Sequence, residues 1–166
     1  KNKKNKIDFL IAPTWNTDFY INNLHKKIFK ILKDSKKSFV FRPHYMSILK
    51  NELDIEALDL NDFELDIKPN LEFDNYSNLI SDWSGIYLEF AILNKKKPIL
   101  INTQMKVRNK KYNNFTMKPI EQELRDLITV QFETYNIEEL SKYISNDTKK
   151  NYHDEEISNI LISKFY

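Results

Sequence analysis

Three short segments hold most of the residues that could do chemistry in this chain: Ala12-Pro13-Thr14-Trp15, Arg42-Pro43-His44-Tyr45 and Ser81-Asp82-Trp83-Ser84-Gly85. In the third, Ser84 stands where it would cap a following helix, and Gly85 would let a ligand approach the backbone closely. A helix start of this kind favours phosphate, because unsatisfied N–H donors and the positive dipole end coincide there. The same residues also read as a plain cap beside a packed tryptophan. In the second segment, Arg42 offers a planar fork to a phosphate, and His44 can donate to a phosphate oxygen or move a proton. In the first, Thr14 can hydrogen-bond a ligand, and Trp15 either stacks on a base or acceptor or lies buried under the sheet edge. Glu89, one turn into the helix after Ser84, either accepts from ribose hydroxyls or stands in solvent.

Each segment follows an apolar run. Ile7–Pro13, Ser38–Arg42 and Asn78–Asp82 read as strands, with a fourth over Pro98–Asn102, one short strand within 54–78 and a last over Ile128–Phe132. Helices are predicted over Phe19–Leu32, Met46–Leu53, Ser84–Leu93, Pro119–Leu127, Ile137–Ile144 and Glu155–Phe165. Strands and helices alternate, so the fold class is α/β: a Rossmann-like, mainly parallel sheet with helices on both faces. Ligands of such sheets bind outside the carboxyl ends of the strands, which is where all three segments fall. Residues 1–145 form the α/β domain in this reading, and 146–166 a C-terminal helical tail.

The composition narrows the choices. Hydrophobic residues at 41% and charged residues at 30% fit a globular domain, and a net charge of +2 gives no field that would point to nucleic acid. With no cysteine, a disulfide scaffold and a thiolate zinc site are excluded. His25, His44 and His153 have no ligand spacing, and His25 and His153 read as surface residues, so no metal is expected. The single glycine rules out Gly-rich phosphate loops. Lysines cluster at Lys1, Lys3, Lys4 and Lys6 and again at Lys95–Lys97, as solvated turns or as weak attraction to anionic lipid or polymer. No run is long and apolar enough to cross a bilayer, and no signal peptide is visible. The absence of an initiator Met suggests an excised piece of a longer chain.

In this order, the segments resemble the CDP-glycerol glycerophosphotransferase family of teichoic-acid and capsule-polymer transferases. The resemblance rests on Ala12-Pro13-Thr14-Trp15, Arg42-Pro43-His44, Ser81-Asp82-Trp83-Ser84-Gly85, the Glu89-Phe90 pair and Lys97-Pro98. It covers residues 7–102, and more loosely reaches 145. The family usually has Tyr at position 83, a second Ser at 85 and often a second Pro at 45. This chain has Trp83, Gly85 and Tyr45 instead, which leaves the donor's identity open.

The resemblance implies the C-terminal, donor-binding half of a GT-B fold. Arg42, His44, Ser84 and Gly85 would lie near a CDP diphosphate with Thr14 at the same mouth, Glu89 and Trp15 would serve the nucleotide, and His44 would be the catalytic candidate. It implies a CDP-activated polyol donor, a lipid-linked polymer acceptor and an N-terminal half carrying a Trp-His-Gly-Thr motif that this chain lacks. No cofactor, metal or nucleic acid is expected. The location implied is the cytoplasm, with peripheral contact to the inner membrane face. Two other readings stay open: a GT-B glycosyltransferase using a nucleotide sugar, and a non-catalytic α/β interaction module.

Overall fold

Short runs of consecutive apolar residues form strands buried on both faces, the pattern expected of a parallel sheet covered by two helical layers. The structure is a computed structural model that describes residues 6–15, 18–21, 23–56, 58–61, 63–105, 107, 111, 119–147 and 154–165. Its strands are β1 (Ile7–Ile11), β2 (Phe39–Phe41), β3 (Glu64–Leu65), β4 (Tyr76–Ser81), β5 (Ile99–Asn102) and β6 (Val130–Glu133). Its helices are α1 (Asp18–Ile21), α2 (Leu24–Asp34), α3 (Tyr45–Leu49), α4 (Ile86–Asn94), α5 (Ile120–Ile128), α6 (Glu138–Asp147) and α7 (Asp154–Phe165).

All pairings are parallel, and the strand order is β3-β2-β1-β4-β5-β6. This is the doubly wound dinucleotide-binding order, and the direction of winding reverses between β1 and β4. The register sets Leu10 beside Val40 and Leu79, and Ile11 beside Phe41 and Ile80. Side chains alternate across the sheet. Phe9, Ile11, Phe39, Phe41, Ile80, Ile99 and Ile101 therefore share one core with residues of α1, α2 and α6. Leu10, Val40, Leu79 and Leu100 share the other with residues of α4, α5 and α7.

The helix expected over Phe19–Leu32 is two helices. Asn23 between them is left-handed, with φ of 52°, a conformation Asn tolerates better than most residues. That turn folds His25 inward. Rather than lying on the surface, His25 is buried, with its Nδ1 3.2 Å from the Phe19 carbonyl and its ring against Tyr20 and Phe29. His153 lies outside the described residues. α3 is shorter than expected and ends before Asn51, which has φ of 52°. Phe63, just before β3, stacks on Phe39. At the other end of the chain, α7 buries Ile157 and packs against α4 and α5. Among the described residues no helix is long and apolar enough to cross a membrane.

Candidate functional site

Where the winding reverses, β1 and β4 end side by side, and polar groups stitch their turns together. Ser81 Oγ donates to the Ala12 carbonyl at 2.6 Å, and Asp82 Oδ1 accepts from the Thr14 amide at 2.7 Å. The Arg42 amide donates to the Ile11 carbonyl at 2.8 Å, which brings the turn after β2 to the same mouth. Between them lies a cleft of about 480 Å3, lined among others by Pro13, Arg42, His44 and Ser84. A second opening of about 740 Å3 shares Arg42, Pro69, Ser84 and Ile86 with the first and reaches Gly85 and Glu89 along α4.

Five of the seven residues singled out in the sequence therefore line these two openings: Arg42, His44, Ser84, Gly85 and Glu89. Thr14 and Trp15 are not among the lining residues. Thr14 is buried, with its amide held by Asp82. The Trp15 ring lies 6.4 Å from the His44 ring, and Lys50 Nζ sits 4.0 Å from its centroid, a cation–π arrangement. Trp15 thus flanks His44 rather than the space between the turns.

The local geometry revises two of the expected roles. Ser84 does not cap α4: the cap position is Gly85, and no side chain makes a cap hydrogen bond there. The positive end of the helix is left to backbone groups. Gly85 has φ of −60° and ψ of −15°, a conformation any residue adopts, and a Cβ added to it would meet nothing within 4 Å. The space in front of the helix start at Gly85 is open. Arg42, in turn, is already engaged. Its Nη1 lies 2.8 Å from Asp66 Oδ2, and Asp66 is buried. His44 caps α3 by accepting from the Met46 amide at Nδ1, 3.1 Å away. The ring proton of neutral His44 then sits on Nε2, which makes that atom a donor.

The sequence reading missed two contributors. The segment after β3 supplies Asp66, Ile67, Lys68 and Pro69 to the cleft; charged residues directly following an alternating apolar run were the available signal. Arg125 was missed because it looks like an ordinary helix residue. It is buried, donates from Nη1 to the Asp82 carbonyl and from Nη2 to Asn102 Oδ1, each at 2.7 Å, and lies 4.0 Å from the Trp83 ring centroid. Trp83 donates from Nε1 to the Thr103 carbonyl at 2.6 Å, and Thr103 Oγ1 lies 3.3 Å from Asp82 Oδ2. The turn Ser81–Gly85 is therefore tied to β1, β5 and α5 at once. Burial pushes Arg125 below the usual guanidinium range and lifts the neighbouring Tyr87 hydroxyl to about 12.

With the geometry in place, comparison with known proteins identifies the architecture. The structure of Methanocaldococcus jannaschii UDP-GlcNAc 2-epimerase, in complex with UDP-GlcNAc and UDP, superposes with a TM-score of 0.55 at 16% identity, over 97% of this chain and 46% of that one. The chain has the Rossmann-like fold of one half of a GT-B-like protein. It spans less than half the length of this structural neighbour. No family model and no curated protein matches the sequence.

Proposed function

We propose that the cleft at the β1/β4 reversal binds the diphosphate of a nucleotide-activated donor, and that the chain is the donor-binding half of a two-domain enzyme. The observation that carries this reading is the meeting of three turns, distant in sequence, around an uncapped helix start with open space before Gly85. Backbone amides and the helix dipole act there together on an anion. Nε2–H of His44 adds a donor from the facing turn. Glu89, exposed in the first turn of α4 and lining the second opening, suits ribose hydroxyls.

The finer reading follows the ordered motifs and makes the donor a CDP-polyol such as CDP-glycerol. An acceptor hydroxyl would attack the phosphorus that carries the polyol. Its new P–O bond forms as the bond to the bridging oxygen breaks, CMP leaves with that electron pair, and the hydroxyl proton passes to a base from the other half. The groups of this half would act on charge growing on the departing phosphate, where preorganised donors lower the barrier most. A lipid-linked polymer acceptor would hold the enzyme at the inner face of the cell membrane. The second reading, a nucleotide-sugar enzyme, draws on the fold shared with a protein whose structure holds UDP-GlcNAc and UDP.

Calorimetric titration of the chain with CDP-glycerol, CMP, UDP and UDP-GlcNAc separates these readings. A preference for the cytidine compounds supports the polyol-phosphate reading, and a preference for the uridine compounds the sugar reading. Gly85→Val fills the open space and is expected to weaken the preferred ligand at least about tenfold, with the melting curve unchanged. Binding that ignores Gly85→Val and His44→Ala would leave an α/β module without a donor site.

A further inference from the structure

We infer that Lys68, and not Arg42, supplies the cationic charge that faces the donor's diphosphate. This rests on the donor reading above. A diphosphate entering the cleft brings negative charge that must be met by charge not already balanced. Among the described residues lining the two openings the fixed cations are Arg42 and Lys68. Arg42 is neutralised where it stands, with Nη1 2.8 Å from Asp66 Oδ2 and Nη2 3.5 Å from the Pro69 carbonyl. Asp66 is itself buried, and its two oxygens are taken by Arg42 Nη1 and the Lys68 amide.

Lys68 differs in each respect. It lines the same cleft as His44 and Ser84, it is exposed, and no carboxylate pairs with it among the described residues. Its backbone is anchored, because the Lys68 amide donates to Asp66 Oδ1 at 3.0 Å. One carboxylate therefore occupies Arg42 with one oxygen and fixes the base of Lys68 with the other. The segment after β3 becomes a fourth corner of the site, and its contribution is a flexible point charge suited to phosphate.

The test is the affinity of CDP and UDP for the unaltered chain and for Lys68→Met, Lys68→Arg and Lys50→Met. Lys50 serves as the control because its ammonium sits over Trp15 and does not line the cleft. The expected result is a loss of about tenfold for Lys68→Met, recovery in Lys68→Arg, and little change for Lys50→Met. Unchanged affinity in Lys68→Met overturns the assignment. An equal loss in Lys50→Met also overturns it, since overall charge would then be the cause. If the unaltered chain binds neither nucleotide, the donor reading itself fails and takes this inference with it; binding that survives Lys68→Met removes the inference alone.

Discussion

At the residue scale, the turn that presents the helix start owes its shape to a few buried polar groups. Asp82 has no solvent exposure, yet its carboxylate holds the Thr14 amide, and its carbonyl receives Arg125. Buried polar atoms are tolerated when paired and costly when left alone. Arg125→Met would strand the Asp82 carbonyl and Asn102 Oδ1 and strip the cation from Trp83. A loss of about 3 kcal/mol of stability is expected, read from urea unfolding. In a Trp15→Phe background Trp83 is the one remaining tryptophan, and its emission should shift to the red as its surroundings open. The polar residues at the three turns were readable as candidates because their types and strand-end positions are visible in sequence. Their partners were not, since Thr14–Asp82 and Asp82–Arg125 join residues 68 and 43 positions apart.

At the scale of the elements, the break between α1 and α2 shows how a local choice sets burial. The apolar spacing from Phe19 to Leu32 suits one helix, and the left-handed Asn23 divides it. His25 then enters the core, where burial holds its imidazole below its ordinary pKa, against a smaller opposing effect of the Phe19 carbonyl. The sign follows: the unfolded chain takes up a proton near pH ~6.5, while the folded chain resists it until lower pH. Stability attributable to this group should fall as pH drops below ~6.5 and level off once pH passes the folded value. Denaturant melts across that window should show a shallower decline for His25→Phe. A flat profile in the unaltered chain would contradict this account.

At the scale of the molecule, two helical layers cover the faces of the sheet whose strand ends carry the cleft. The second layer is completed by α7, which packs against α4 and α5, sets Ile160 and Leu161 on that core and buries Ile157, and Lys164 bridges to Glu123 at 3.0 Å. Ile157→Ala should cost about 3 kcal/mol, since a buried aliphatic side chain leaves a cavity behind. Thermal unfolding measures this; a change near zero would mean α7 is not part of the folded unit.

The sequence by itself determined the alternation of strands and helices, the parallel class of the sheet and the three strand-end turns. Each of these is written in local periodicity and in residues that end elements. Tertiary structure alone decided that the turns meet, because strand order comes from pairing across the sheet, and no local pattern sets β1 beside β4. It also decided which charges are available. Arg42 and Lys68 look alike as cations along the chain, and the placement of Asp66 pairs Arg42 while Lys68, among the described residues, has no carboxylate partner.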